Sequence, residues 1–208
     1  MTQYGFVVDT HRCLGCHSCA VACKVANNLP EGMNYNRVLT QGGDFMDTAD
    51  GAYPSTLYMS FLPMTCQHCD KPACVAACPT GATQKDEETG IVTQDLEACI
   101  GCKSCIAACP YDAVRTLQQD DPVYSVDFAV GNPTAPVHRQ GAVEKCIMCY
   151  EDVKNGGIPA CMDLCPGRAR YWGDFDDPES DVSKLIKSRE AYQLNVEAGT
   201  GPNVYYIK

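Results

Sequence analysis

The 208 residues carry 26 acidic and 16 basic side chains, a formal net charge of −10, and sixteen cysteines. Without a basic stripe to neutralise phosphates the chain is not a nucleic-acid binder. Without an apolar run approaching ~20 residues it does not insert directly into a bilayer. Neither G-x-G-x-x-G nor G-x-x-x-x-G-K-[ST] occurs in a nucleotide-binding context. Met1 to Asp9 shows no basic segment leading into an apolar one and no twin-arginine pair, so the chain is expected in the cytoplasm, or exported only with a partner that carries the signal.

In chain order, Tyr4 to Val8 alternates aromatic and β-branched residues and predicts a strand. It enters the first cysteine group, Cys13, Cys16, Cys19 and Cys23, and Ala20 to Ala26 predicts a short helix carrying Cys23 away. The connector 24–65 contains Gly42-Gly43 and a predicted strand, Thr56 to Leu62, returning to Cys66, Cys69, Cys74 and Cys78. Ala82 to Lys85 and Ile91 to Gln94 flank a charged turn and predict a hairpin. The third group, Cys99, Cys102, Cys105 and Cys109, precedes predicted strands at Ala113 to Leu117 and Tyr124 to Val130 and a loop at Gly131-Asn132-Pro133. The fourth, Cys146, Cys149, Cys161 and Cys165, has its middle gap widened to eleven residues. Ala169 to Trp172 predicts a strand, Asp177-Pro178 opens a helix over Glu179 to Gln193 with an acidic first turn, and Asn203 to Ile207 a last strand.

The cysteines fall into four groups of four with none left over. Setting them aside leaves a modest supply of apolar side chains for a conventional core, so folding is expected to depend on metal. Disulfide frameworks do not require near-identical tetrads compressed into 11 to 20 residues. Zinc sites pair two C-x2-C units across a longer gap, whereas groups one and three place three cysteines in one short loop. Cys99 to Pro110 reads C-x2-C-x2-C-x3-C-P, the bacterial cluster run whose fourth cysteine ligates a second cluster. Gly101 is read as letting the backbone approach the cluster, and Pro110 as redirecting the chain. Four groups of four imply four [4Fe–4S] clusters.

Internal repeats organise these groups. Asp9, Cys13, Gly15, Cys16, Ser18 and Cys19 match Asp95, Cys99, Gly101, Cys102, Ser104 and Cys105. Pro72-Ala73-Cys74 with Cys78-Pro79 matches Pro159-Ala160-Cys161 with Cys165-Pro166, and alanines follow at Ala82, Ala113 and Ala169. The pattern describes an α+β, loop-rich chain of two fused bacterial-type 2×[4Fe–4S] ferredoxin-like modules with inserted connectors. It leaves open which motif pairs with which. His11, His17, His68 and His138 are read as solvent-facing loop residues, Trp172 and the tyrosines as packing or interface residues. Lys24, Lys103, Lys145 and Arg168 sit beside cysteines as charges able to favour reduced clusters. No catalytic constellation is present, so the chain reads as an electron relay rather than an enzyme.

The motif order, the widened fourth group and the opening Tyr4-Gly5-Phe6-Val7-Val8-Asp9 resemble the dimethyl sulfoxide reductase iron–sulfur subunit family over residues 3 to about 173. The resemblance implies a nested pairing of motif one with four and two with three. The cofactor-binding sets would be Cys13, Cys16, Cys19 and Cys165; Cys23, Cys146, Cys149 and Cys161; Cys66, Cys69, Cys74 and Cys109; and Cys78, Cys99, Cys102 and Cys105. Nitrate reductase relatives carry tryptophan where Cys102 stands, so four full clusters are implied here. One module would span residues 1–55 plus 140–175, the other 56–120, with a connector at 121–139 and a helix-and-strand tail at 176–208. The implied partners are a large molybdenum or tungsten bis-pterin catalytic subunit, facing the first-motif cluster, and an integral membrane quinone-reactive subunit, facing the end near Cys66 to Cys74. The alternative is a free-standing polyferredoxin serving several soluble enzymes.

Overall fold

The computed structural model describes residues 2–40, 49–111 and 114–208. Strand β1 (Tyr4–Asp9) leads through the first cysteine loop into α1 (Ser18–Ala26), and β2 (Asn36–Thr40) pairs antiparallel with β3 (Phe61–Thr65). Helix α2 (Ala73–Ala76) precedes the hairpin of β4 (Thr83–Lys85) and β5 (Val92–Gln94). Helix α3 (Ser104–Ala107) precedes β6 (Arg115–Leu117), whose antiparallel partner is β7 (Val143–Lys145). Helices α4 (Tyr150–Lys154) and α5 (Ala160–Asp163) carry the fourth motif, followed by β8 (Arg170–Asp174), α6 (Asp181–Ser188), β9 (Ala191–Tyr192) and β10 (Val204–Ile207).

The largest sheet has the order β8-β1-β10-β9, with β1 antiparallel to β8 and parallel to β10. Alternation along β1 splits its side chains between two cores. Val7 and Ile207 face α6, where Val182, Leu185 and Ile186 cover them. Phe6, Val8, Val204 and Tyr206 face the other way, onto Cys19, Cys161, Ile91 and Met148. Each fully buried aliphatic or aromatic side chain contributes roughly 1.5–3 kcal/mol, but cysteines belong to three of the four apolar clusters. Ligand and core positions are therefore the same positions.

Several expectations are corrected. The returning strand of the 24–65 connector begins pairing at Phe61 rather than Thr56, and among the described residues only an isolated Asp50–Tyr58 bridge stands before it. Tyr124 to Val130 is not a strand: Tyr124, Val126 and Phe128 are exposed, so its alternation has no partner to reward it. The last helix ends at Ser188, because Arg189 turns extended and its guanidinium donates to the Lys208 carbonyl at 2.7 Å and to Asp9 Oδ2 at 3.4 Å. That turn delivers Ala191 and Tyr192 to β10. The tail thus supplies two strands to the sheet of β1. Gly42-Gly43 and Ala113 lie outside the described residues.

His68 and His138 are buried, not solvent-facing. His138 Nδ1 lies 2.7 Å from Glu144 Oε2 and its Nε2 lies 2.9 Å from the Asn27 carbonyl. The Asn27 carbonyl requires Nε2 to donate, and the protonated ring can donate to Glu144 as well. Tyr35 Oη also donates to Glu144 Oε2, at 2.7 Å. This network fastens the 121–139 connector to the end of α1. Burial alone would lower the His138 pKa, but the Glu144 hydrogen bond and charge and the Asn27 carbonyl raise it. A raised folded-state value stabilises fully below the unfolded pKa of about 6.5 and is lost as pH rises through the folded value. His138→Gln should therefore cost about 2 kcal/mol at low pH and progressively less above about 6.5. Thermal unfolding of the iron-loaded chain against pH measures this; a pH-independent cost would contradict it.

Candidate metal centre

The first and third motifs are built alike, for reasons that can be named. Asp9 Oδ1 accepts the N–H groups of His11 and Arg12 at 3.0 and 3.1 Å, and Asp95 Oδ1 those of Glu97 and Ala98 at 2.8 and 3.1 Å. These are Asx turns that open each loop. Gly15 and His17 have φ of 65° and 58°, and Gly101 and Lys103 match them at 66° and 63°. Ser18 Oγ stands 3.4 Å from Cys16 Sγ, and Ser104 Oγ 3.4 Å from Cys102 Sγ. In the second and fourth motifs Pro72 and Pro159 cap the helices that carry Cys74 and Cys161, and Gly81 and Arg168 turn left-handed three residues after Cys78 and Cys165. Runs of left-handed residues turn successive N–H groups inward, forming concavities that suit an anion.

Gly101 is also required by its protein surroundings. A Cβ there would stand 2.2 Å from the Gly141 carbonyl oxygen, so the loop before β7 excludes a side chain.

All sixteen cysteines are free thiols. Cys13, Cys16, Cys19 and Cys165 line one cavity together with Arg170. Burial raises Cys13, with Cys165 and Cys16 adding to the shift, and burial raises Cys23 well above its ordinary value, with Cys146, Cys161 and Cys149 adding. Burial pushes Cys146 up to about 11 and Cys149 up to about 12, Cys161 adding in both. Cys69 is raised by burial and then by Cys66 and Cys74, and Cys109 is pushed to about 11 by burial, with the same two neighbours adding. Burial likewise raises Cys105, next to Cys99 and Cys74. Cys102, beside Cys78, is instead lowered by the Ser104 hydroxyl, and Cys16 by that of Ser18. Interior thiols are thus costly to ionise together unless positive charge is supplied among them.

The donor set fits a cluster. Backbone N–H groups of Val143, Met148 and Ala169 donate to Cys99, Cys146 and Cys165 Sγ at 3.4, 3.3 and 3.4 Å. Asn27 Nδ2 donates to Cys23 Sγ at 3.5 Å. Among the described residues no three histidine, cysteine or carboxylate side chains stand close enough together to hold one metal ion. His68 is held neutral by burial and by the charges of Lys145, Arg115 and Lys85; its Nδ1 accepts from Val92 N–H at 3.0 Å.

Of the four cations singled out in the sequence, only Lys145 is fully buried. Lys24 donates to the Pro30 and Met33 carbonyls at 2.8 and 3.1 Å, while Lys103 and Arg168 occupy left-handed turn positions. Arg115 and Arg170, buried on β6 and β8, were not anticipated. The available signal is a single arginine inside a strand-like stretch shortly after Cys109-Pro110 and after Cys165-Pro166.

Thiolates gathered around inward N–H groups define an iron–sulfur protein of ferredoxin type. The chain matches the family described as 4Fe-4S dicluster domain over residues 57–129 and 133–175, and that described as 4Fe-4S binding domain over residues 10–26. It is 46% identical over 212 residues to a dimethyl sulfoxide reductase iron–sulfur subunit of Halobacterium salinarum, covering 100% of this chain and 79% of the relative. It is 37% identical to the arsenate respiratory reductase iron–sulfur subunit of a Shewanella species (99% and 96% covered). It is 34% identical to the menaquinone reductase iron–sulfur cluster-binding subunit of Nitratidesulfovibrio vulgaris (99% and 88% covered). The chain belongs to the dimethyl sulfoxide reductase iron–sulfur subunit family, and its cofactors are [4Fe–4S] clusters.

Gly32 has the same left-handed backbone as Gly101, at φ 77°, but open space around it. Gly32→Ala should cost only the conformational penalty, about 1–2 kcal/mol. Gly101→Ala should in addition displace the third loop and lower bound iron. Iron content and thermal midpoints of the two variants check this; equal behaviour would contradict it.

Proposed function

We propose that the chain is a non-catalytic electron-transfer subunit with four [4Fe–4S] clusters held in the nested sets. These are Cys13, Cys16, Cys19 and Cys165; Cys23, Cys146, Cys149 and Cys161; Cys66, Cys69, Cys74 and Cys109; and Cys78, Cys99, Cys102 and Cys105. The observation that carries this reading is the single cavity lined by Cys13, Cys16, Cys19 and Cys165. The strongest cysteine neighbours of Cys13, Cys23, Cys69, Cys109 and Cys102 also fall within these sets, while that of Cys19 is Cys161 of the adjoining set. Bound there, the clusters supply one-electron transfer. The chain's own residues hold them, exclude water and direct N–H groups at the sulfurs.

Two ferredoxin-like modules, one from motifs one and four and one from motifs two and three, account for the repeats. Strand pairs β2–β3 and β6–β7 run from one to the other.

Cys16 and Cys102 are the exposed thiols, and beside them stand Leu14 and Ile100, 64% and 67% exposed. We assign the Cys16 end to a molybdenum or tungsten pterin catalytic subunit and the Cys102 end to a quinone-reactive membrane subunit or a soluble donor. Between the buried Cys66 and Cys74 the thiol of Cys69 is half-buried, whereas Cys102 is exposed, so we place the far end at Cys102. Relatives named for arsenate and menaquinone reductases support both kinds of partner. No described helix is long and apolar enough to cross a membrane, so attachment to one would run through a partner.

Anaerobically purified protein should hold about sixteen iron atoms per chain and bring down one large subunit stoichiometrically. Zinc in place of iron would overturn the cluster reading; retention of no dominant partner would favour the free-standing polyferredoxin. Cys102→Ser and Cys109→Ser should damage different clusters in electron paramagnetic resonance spectra. Damage to one and the same cluster would overturn the pairing.

A further inference from the structure

We propose that Arg170, Lys145 and Arg115 are fixed counter-charges, one at each of the three junctions between four consecutive cysteine sets, and that each raises the reduction potentials of the two clusters it stands between. This rests on the ligand sets proposed above.

The three side chains are 3%, 1% and 7% exposed, and none forms an ion pair with a carboxylate among the described residues. Their hydrogen-bond partners are neutral. Arg170 Nη1 donates to Asn36 Oδ1 at 3.4 Å, Arg115 Nη1 to Gln94 Oε1 at 3.3 Å, and Lys145 Nζ to the Val92 and Cys146 carbonyls. Among the described residues Arg170 Nε and Nη2 and Arg115 Nη2 find no hydrogen-bond partner, although the Arg170 guanidinium lies 5.4 Å from the Phe6 ring centroid and Arg115 interacts with the Cys105 thiol. Moreover, Arg115 and Lys145 are directly opposite each other on paired β6 and β7. Two buried like charges across a strand pair repel, and a buried charge without a counter-ion is strongly unfavourable. As structural elements alone these residues would destabilise the fold. Anionic groups beside them remove the difficulty.

Their places follow the order of the sets. Arg170 lines the cavity of Cys13, Cys16, Cys19 and Cys165, and beyond burial its strongest influences include Cys161 and Cys19, with Cys146 further down, so it faces the first and second sets. Lys145 ends β7 immediately before Cys146; burial and, less strongly, Arg115 lower its pKa, whereas Cys66, Cys146 and Cys74 hold it up, so it stands beside the second and third sets. Arg115 answers, after burial, to Cys74, Cys66, Cys105 and Cys109, which belong to the third and fourth sets. Strand β7 itself ties the far sets together: Val143 N–H donates to Cys99 Sγ, and two residues on comes Lys145. A positive charge in a poorly screened interior favours the reduced, more negative state of any cluster beside it, so each cation supports the potentials of two neighbours at once.

The test is a redox titration, followed by electron paramagnetic resonance, of the iron-loaded full chain with its native partners. Arg115→Gln should lower the potentials of the two clusters marked by Cys102→Ser and Cys109→Ser, each by about tenfold in the reduced-to-oxidised ratio, or about 59 mV for a one-electron couple. The other two should move much less, and Arg115→Lys should restore most of the loss. Arg170→Gln should shift the clusters of the first and second sets, and Lys145→Met those of the second and third. Where a neutral variant does not retain iron, the near-isosteric Gln94→Glu and Asn36→Asp place a carboxylate on the Arg115 and Arg170 guanidiniums and should lower the same pairs. Full iron content with unmoved potentials, or equal shifts of all four clusters, would overturn the counter-charges while leaving the ligand sets standing. Convergence of Cys102→Ser and Cys109→Ser on one cluster would instead overturn the sets, and the junctions with them.

Discussion

Eight buried cysteines, with six more half-buried around them, can share an interior as thiolates only if their negative charge is met by positive charge, and the structure depends on that balance more than on apolar packing. Cysteines occupy buried positions in three of the four apolar clusters. Burial and mutual repulsion hold many of these thiols, such as Cys23 and Cys149, well above the ordinary value. In the proposed ligand sets metal would supply most of the compensation, with backbone N–H groups and the three buried cations Arg170, Lys145 and Arg115 beside it. Folding and cofactor binding would then be one event, as in other metal-nucleated domains.

The loops achieve this with little hydrophobic material. An aspartate that closes an Asx turn, a glycine and a following residue in left-handed conformation, and a serine beside the exposed thiol recur in motifs one and three. Each device acts within a few residues, so it is written in local sequence and survives duplication. The sheet of β8, β1, β10 and β9 backs the first of these loops and is itself covered on its far side by α6. The connectors, by contrast, are fastened by single polar networks such as that of Asn27, His138, Glu144 and Tyr35.

This division explains what could be read in advance. The cysteine groups, the β4–β5 hairpin, β1, α1 and the last strand have local signatures: spacing, alternation, a charged turn. The pairing of β2 with β3 was not legible, because the strands are joined across residues 41–60 and neither announces the other. The end of α6 at Ser188 depends on Arg189 reaching Lys208 and Asp9, contacts that no helical periodicity contains. Tyr124 to Val130 shows the converse, an alternation with nothing to pair against. Arg115 and Arg170 were missed because their importance lies in what surrounds them, and those neighbours come from distant motifs. Lys145 was noticed only because it adjoins Cys146.

Anionic clusters and buried cations would hold the interior together jointly. Hydrogen exchange of the backbone amides, measured before and after anaerobic removal of iron, reads out this dependence. Strands β6 and β7, which carry Arg115 opposite Lys145, should lose protection early once the clusters are gone, ahead of the β1–β10 pairing in the large sheet. Undiminished protection of β6 and β7 in the iron-free chain would contradict it.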